Sequence, residues 1–158
     1  MSQKIFLVGL PGTGKTTLGK ALASQVQAQF IDLDQEIEEK TKQSIRSIFA
    51  ERGEDFFRQL EYDHLRRIIA DVESFILATG GGTPCFYDNM EVMNNTGKTI
   101  FINTPIEEIK QRLQQDSARP LMQTHTLESL YEKRIRWYKQ AQYTITSLEE
   151  AFHVSGEE

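Results

Sequence analysis

Gly9-Leu10-Pro11-Gly12-Thr13-Gly14-Lys15-Thr16 fills every position of the pattern G-x-x-x-x-G-K-[ST]. Its neighbours decide how it folds. Ile5-Phe6-Leu7-Val8, just before it, is a short unbroken apolar run, as expected of a parallel strand buried on both faces. Leu18, Leu22 and Val26, just after it, repeat every four residues and predict a helix. Strand, glycine loop and helix in that order make a cradle for phosphates. The glycines let backbone N–H groups face the phosphates with no side chain in the way, and the positive end of the helix favours anions. Lys15 would reach the outer phosphates as a point charge, and the Thr16 hydroxyl would ligate Mg²⁺. The pattern implies a nucleoside triphosphate. It does not separate a kinase from a motor, a switch or an assembly ATPase, so an acceptor site has to come from elsewhere in the chain.

Working outward, strands and helices alternate. Phe30 to Asp34 reads as a second strand. Ser44 caps a helix carrying Ile45, Ile48 and Phe49, with Gly53 as its stop. Glu54 to Val72 is a long amphipathic helix, and Phe75-Ile76-Leu77-Ala78 a third strand closed by Gly80-Gly81-Gly82. Thr99 to Asn103 is a fourth strand, and Thr104-Pro105-Ile106-Glu107 reads as a capping box opening a helix to about Gln115. Ser117 to Thr126 lacks periodicity and reads as a loop. A helix from Leu127 to about Gln142 and a fifth strand at Tyr143 to Thr146 follow, and the residues to Glu158 are polar and weakly specified. This alternation predicts an α/β fold, a parallel sheet with helices on both faces.

Bulk properties narrow the class. A chain of 158 residues, 39% apolar and 26% charged, suits one domain around one core. A formal charge of -5 argues against non-specific binding to nucleic acid or anionic lipid. A single cysteine, Cys85, forms no internal disulfide and fits a reducing compartment. The apolar run at the N-terminus is too short for a signal peptide or a membrane span. The expectation is a soluble, cytoplasmic protein.

Several charges sit where the pattern does not call for them. Read as a strand, Phe30-Ile31-Asp32-Leu33-Asp34 puts Asp32 and Asp34 on one face, roughly 6–7 Å apart, at the strand end where open parallel sheets bind ligands. One carboxylate would hold Mg²⁺ through water while the other takes a proton from an acceptor; equally, both would start a solvated turn. Arg58 stands three residues before Glu61, and a surface ion pair is the simplest account of it. Leu127, Tyr131, Arg134 and Tyr138 share helical spacing, which places Arg134 on an apolar face where it needs an anion, structural or ligand. Gly80 to Gly82 suit close approach of a ligand, or a plain turn. Arg119, beside Pro120, belongs to a lid over a phosphate site or to a solvated loop. Cys85 reads as a small apolar residue, and His64, His125 and His153 lack metal-ligand spacing.

In this order and spacing the signals resemble the shikimate kinase family, over roughly residues 4 to 146. The resemblance rests on the phosphate loop, the D-x-D at Asp32 and Asp34, Phe57-Arg58, Gly80 to Gly82, Arg119-Pro120-Leu121, and Arg134 to Tyr138. It implies a three-layer nucleoside-monophosphate-kinase-type fold over residues 1–158, with a five-stranded parallel sheet of order 2-3-1-4-5 and a lid at about 116–126. It implies ATP-dependent phosphorylation of the 3-hydroxyl of shikimate. Lys15, Asp34 and Arg119 would be catalytic. ATP would be bound by Gly12, Thr13, Gly14, Lys15, Thr16, Thr17, Arg112 and Arg119, with Arg112 packing on adenine. Shikimate would be bound by Asp34, Arg58, Gly80, Gly81, Gly82 and Arg134, the two arginines on its carboxylate. One Mg²⁺ would be held by Thr16 and, through water, by Asp32. The expected assembly is a monomer whose partners are ATP and shikimate, with no nucleic acid and no membrane. The chain departs from the family after Thr146, where no adenine-contacting loop is matched, and in a short lid segment at Gln123 to Thr126. A gluconate kinase and a non-catalytic nucleotide-binding module are the rival readings. The first has no need of Arg58, Arg134 and the triple glycine together, and the second has little use for Lys15, Asp34 and Arg119 as a set.

Overall fold

The computed structural model describes residues 2–115 and 124–156. Five parallel strands form one sheet in the order β2-β3-β1-β4-β5: β1 (Lys4–Val8), β2 (Gln29–Asp32), β3 (Phe75–Ala78), β4 (Lys98–Ile102) and β5 (Tyr143–Ile145). This is the expected order. Alternation along β1 divides the core in two, because successive side chains point to opposite faces. Phe6 and Val8 join a cluster with Phe75, Leu77 and Phe101. That cluster is covered by α2 (Leu33–Thr41), α3 (Ile45–Arg52), α4 (Glu54–Asp71), α5 (Asn89–Thr96), α6 (Ile106–Gln115) and α7 (Thr124–Tyr138). Ile5 and Leu7 join Ile76, Ile100 and Ile145 on the other face, covered by α1 (Lys15–Val26) and α8 (Leu148–Ser155). The result is a three-layer α/β sandwich.

Four local readings need correction. The second strand ends at Asp32, not Asp34: the Asp32 carboxylate accepts from the Gln35 amide at 3.3 Å and caps α2, so Asp34 lies in the first helical turn. A period-two run is overridden there by an N-cap. The helix expected from Leu127 to Gln142 begins at Thr124 and stops at Tyr138, after which Lys139 to Gln142 turn into β5. The tail is not weakly specified, since Leu148–Ser155 is helical and buries Ala151 and Val154. Asn89–Thr96, for which the sequence pattern gave no element, is α5. The loop expected at Ser117 to Thr126 lies outside the described residues as far as residue 123.

Among the described residues, no helix is long and apolar enough to cross a membrane.

Candidate active site

A cleft of about 1090 Å³ opens at the C-terminal ends of the strands, where each chain segment leaves the sheet. The phosphate loop forms its floor. Gly14 caps α1 at φ 88°, a left-handed conformation that a side chain would strain. Lys15 Nζ donates to the carbonyls of Gly9 at 2.7 Å and Leu10 at 2.9 Å. It thus arches back over the loop, where phosphate oxygens would offer it charged acceptors. Arg112 reaches in from α6, with Nη1 donating to Gly12 O at 3.3 Å and Nη2 held by Glu108 at 2.9 Å. Thr17 also lines the cleft.

Asp32 and Asp34 do come together, by a different route from the one expected. They flank the β2–α2 junction. The Thr16 hydroxyl donates to Asp32 Oδ2 at 3.2 Å, so two hard oxygen ligands stand side by side at the head of α1. Asp34 Oδ1 is buried and has no hydrogen-bond partner among the described residues. Burial above all, then the neighbouring carboxylates of Glu61, Asp32 and Glu38, raises its pKa to about 6, against the pull of Lys15.

The three glycines face one acceptor group each. A Cβ on Gly80 would stand 3.0 Å from Asp34 Oδ1; one on Gly81, 2.7 Å from Arg134 Nη1; one on Gly82, 2.7 Å from both Nη atoms of Arg58. A side chain on any of them would press on Asp34, Arg134 or Arg58. The same loop touches the phosphate side, because the Gly81 Cβ would also lie 3.1 Å from Pro11 Cδ.

Arg58 is 7% exposed, so its pairing with Glu61 is not the surface contact that spacing suggested. Nη1 bonds Glu61 Oε1 at 2.7 Å, while Nη2 and Nε bond Glu54 Oε2 at 3.0 and 3.3 Å. Among the described residues three of its five N–H donors are used, which leaves one on each Nη. Arg134 is half-buried, and among the described residues no carboxylate pairs with it. The Tyr138 hydroxyl, one turn on, donates to Gly81 O at 2.5 Å and pins the glycine loop to α7. Burial pushes the Cys85 thiol up to about 11, so it is neutral, as an apolar residue should be.

Sequence reading missed four contributors. Glu61, Thr83 and Glu38 are polar groups whose roles depend on contacts across elements. The turn from Ile145 to Leu148 lines the cleft. Its signal was present as Ser147-Leu148-Glu149-Glu150, a capping box in which Ser147 accepts from the Glu150 amide at 3.3 Å. Arg119 lies outside the described residues.

A family model described as shikimate kinase matches residues 11–154. The chain belongs to the shikimate kinase family. A shikimate kinase of Bacteroides thetaiotaomicron is 45% identical over 152 residues, 91% of this chain and 86% of that protein. The crystal structure of shikimate kinase from Bacteroides thetaiotaomicron superposes with a TM-score of 0.89 at 39% identity, covering 96% of this chain and 95% of that one. The shikimate kinase from Acinetobacter baumannii, solved in complex with shikimate, gives 0.87 at 34% identity over 98% and 90%. A gluconokinase from Sinorhizobium meliloti, at 14% identity and a TM-score of 0.57, shares the fold alone. As in shikimate kinases generally, the family's reaction is phosphoryl transfer from ATP to an alcohol.

Proposed function

We propose that this cleft transfers the γ-phosphoryl group of ATP to the 3-hydroxyl of shikimate, giving shikimate 3-phosphate and ADP on the route to aromatic amino acids. One observation carries the residue assignment: Gly80, Gly81 and Gly82 set a carboxylate and two arginines around a bare loop beside the phosphate cradle. A carboxylate-bearing polyol matches that set, its acid on Arg58 and Arg134 and its hydroxyls on Asp34.

In this reading Lys15 leaves its loop carbonyls for the transferring phosphoryl oxygens, and Arg119 joins it from the lid at about 116–126. Gly12 to Thr17 hold the phosphate chain, and Arg112 with the Thr146–Leu148 turn holds the adenine. Asp34 Oδ1, buried and without a donor, orients the attacking hydroxyl and accepts its proton. Thr16 and, through water, Asp32 would hold a Mg²⁺ brought in on ATP, where the ion neutralises charge on the outer phosphates. The fit is good for an ion that keeps its waters: the oxygens are hard, and among the described residues no cluster of three His, Cys, Asp or Glu would cage a metal unaided. The enzyme works as a cytoplasmic monomer, one kinase domain over residues 1–158.

The first experiment is ADP release from Mg·ATP with shikimate, gluconate or a nucleoside monophosphate. Shikimate-dependent release is the expected result; ATP binding without stimulation by any acceptor would leave only a nucleotide-binding module. Arg134→Ala and Arg58→Ala are expected to raise the shikimate Kd roughly 10–100-fold, from about 1.5–3 kcal/mol per charge-assisted hydrogen bond, with ATP affinity near normal. Equal loss of both ligands would remove these arginines from the acceptor site. The base role also sets a pH limb. Asp34 accepts a proton only when ionised, so kcat is expected to fall about tenfold per unit below about pH 6. A flat kcat profile from pH 5 to 8 would take Asp34 out of that role.

A further inference from the structure

Arg58 has two carboxylate partners, and only one is fixed. The Glu54 side chain is 55% exposed to solvent, whereas Glu61 is 1% exposed. Thr83, wholly buried, donates its hydroxyl to Glu61 Oε2 at 2.5 Å. Thr83 is itself held at both ends. Its amide donates to Gly80 O at 3.1 Å, closing the glycine turn. Its carbonyl accepts from Asn89 Nδ2 at 2.9 Å, and Asn89 Oδ1 in turn accepts from Arg66 Nη1 at 2.8 Å. One threonine therefore ties together the glycine loop, the buried acid of α4 and the start of α5.

We propose that Thr83 is a positioning residue of the acceptor site, its hydroxyl holding Glu61 to one edge of Arg58 so that the guanidinium fork stays open to an incoming carboxylate. The proposal rests on Arg58 being an acceptor-binding residue. A carboxylate with both oxygens available grips a guanidinium through two parallel bonds. With Thr83 on Oε2, Glu61 offers Arg58 only Oε1. Without that hydroxyl, Oε2 becomes a buried charged oxygen short of a donor. The nearby donors still unused are the remaining N–H groups on the Arg58 Nη atoms. Glu61 then turns onto the fork and competes with the acceptor's carboxylate. Valine keeps the shape of threonine and removes only the hydroxyl, which isolates this effect.

The test compares Thr83→Val, Thr83→Ser and Glu61→Gln, with Thr83→Val also made in the Glu61→Gln background. Shikimate Kd is read by calorimetry, and KM and kcat from initial rates. Thr83→Val is expected to raise shikimate Kd and KM about tenfold, the size of one lost buried hydrogen bond. Saturated kcat and the KM for ATP should stay within about twofold, and Thr83→Ser should restore the wild-type Kd. In the Glu61→Gln background the same valine should add less than about twofold, because threonine acts through the acid. Should Thr83→Val melt too low to assay, Thr83→Ala gives the same comparison. A wild-type Kd for Thr83→Val, while Arg58→Ala binds shikimate weakly, would overturn the proposal and leave Arg58 in place. A tenfold loss in both backgrounds would overturn the route through Glu61. An Arg58→Ala enzyme with normal shikimate affinity would sink both the proposal and the reading beneath it.

Discussion

Lys15→Met is expected to lower kcat about 10³-fold, the largest effect of any single change in the phosphate cradle. In the proposed reaction its ammonium acts on the transferring group. Before ATP arrives it rests against two loop carbonyls, at 2.7 and 2.9 Å, which it exchanges for phosphoryl oxygens in the proposed reaction. A charged donor aimed at the transition state is worth about 10²–10³ in a water-poor site, and in this reading Lys15 serves more than one oxygen. Methionine keeps most of the stem length and loses the charge. The two carbonyls face the cleft, where water replaces the lysine, so the fold should be little affected. Shikimate binding, measured by calorimetry without nucleotide, should be unchanged. A Lys15→Met enzyme keeping more than a tenth of wild-type kcat would show that the cradle does not act on the transition state.

Asp34→Asn should move activity and stability in opposite directions. Loss of a positioned base costs about 10²–10⁴ in rate, and kcat is expected to fall within that range. Stability responds through the raised pKa. In the native chain Asp34 holds its proton up to about pH 6, whereas the unfolded chain releases it near the ordinary value of 3.8. Between those limits the native state binds more protons than the unfolded state, so stability falls as pH rises from about 4 to about 6 and stays lower above it. The difference amounts to about 3 kcal/mol at most. Asparagine carries no such cost. The variant should therefore melt higher than wild type at pH 8 and lose that advantage by pH 4. Melting curves at the two pH values decide it, and an equal Tm at pH 8 would mean that the buried charge is compensated in the native state. A destabilising carboxylate kept in a cleft fits the proposed role in the reaction.

The architecture was legible because its signals are local. Phosphate loop, strands and the four-residue repeat of α1 are written in neighbouring residues, and the strand order followed from the family resemblance those motifs carry. What escaped was decided by competition between local rules. Phe30-Ile31-Asp32-Leu33-Asp34 alternates like a strand, yet Asp32 with Gln35 three residues later is also a helix start, and the cap prevails. The tail looked polar because α8 buries only a narrow stripe at Ala151 and Val154. In the site, residues proposed to meet a ligand announced themselves as misplaced charges. Residues that support them did not. Glu61 resembled half of a surface pair, and Thr83 resembled one more loop threonine. Burial and long-range contact give both their meaning, and neither is written in spacing.

The glycine loop has a consequence for inhibition. A Cβ on each of its three glycines would lie against a different group of the proposed acceptor site, so on that reading a side chain introduced there meets Asp34, Arg134 or Arg58 before it meets a bound drug. On the proposed roles, a compound that fills the acceptor pocket and rests on this loop presses on a surface where an added Cβ would push against Asp34, Arg134 or Arg58. Resistance to such a compound would have to arise elsewhere, on the α2 and α3 side of the pocket, at positions such as Ile45.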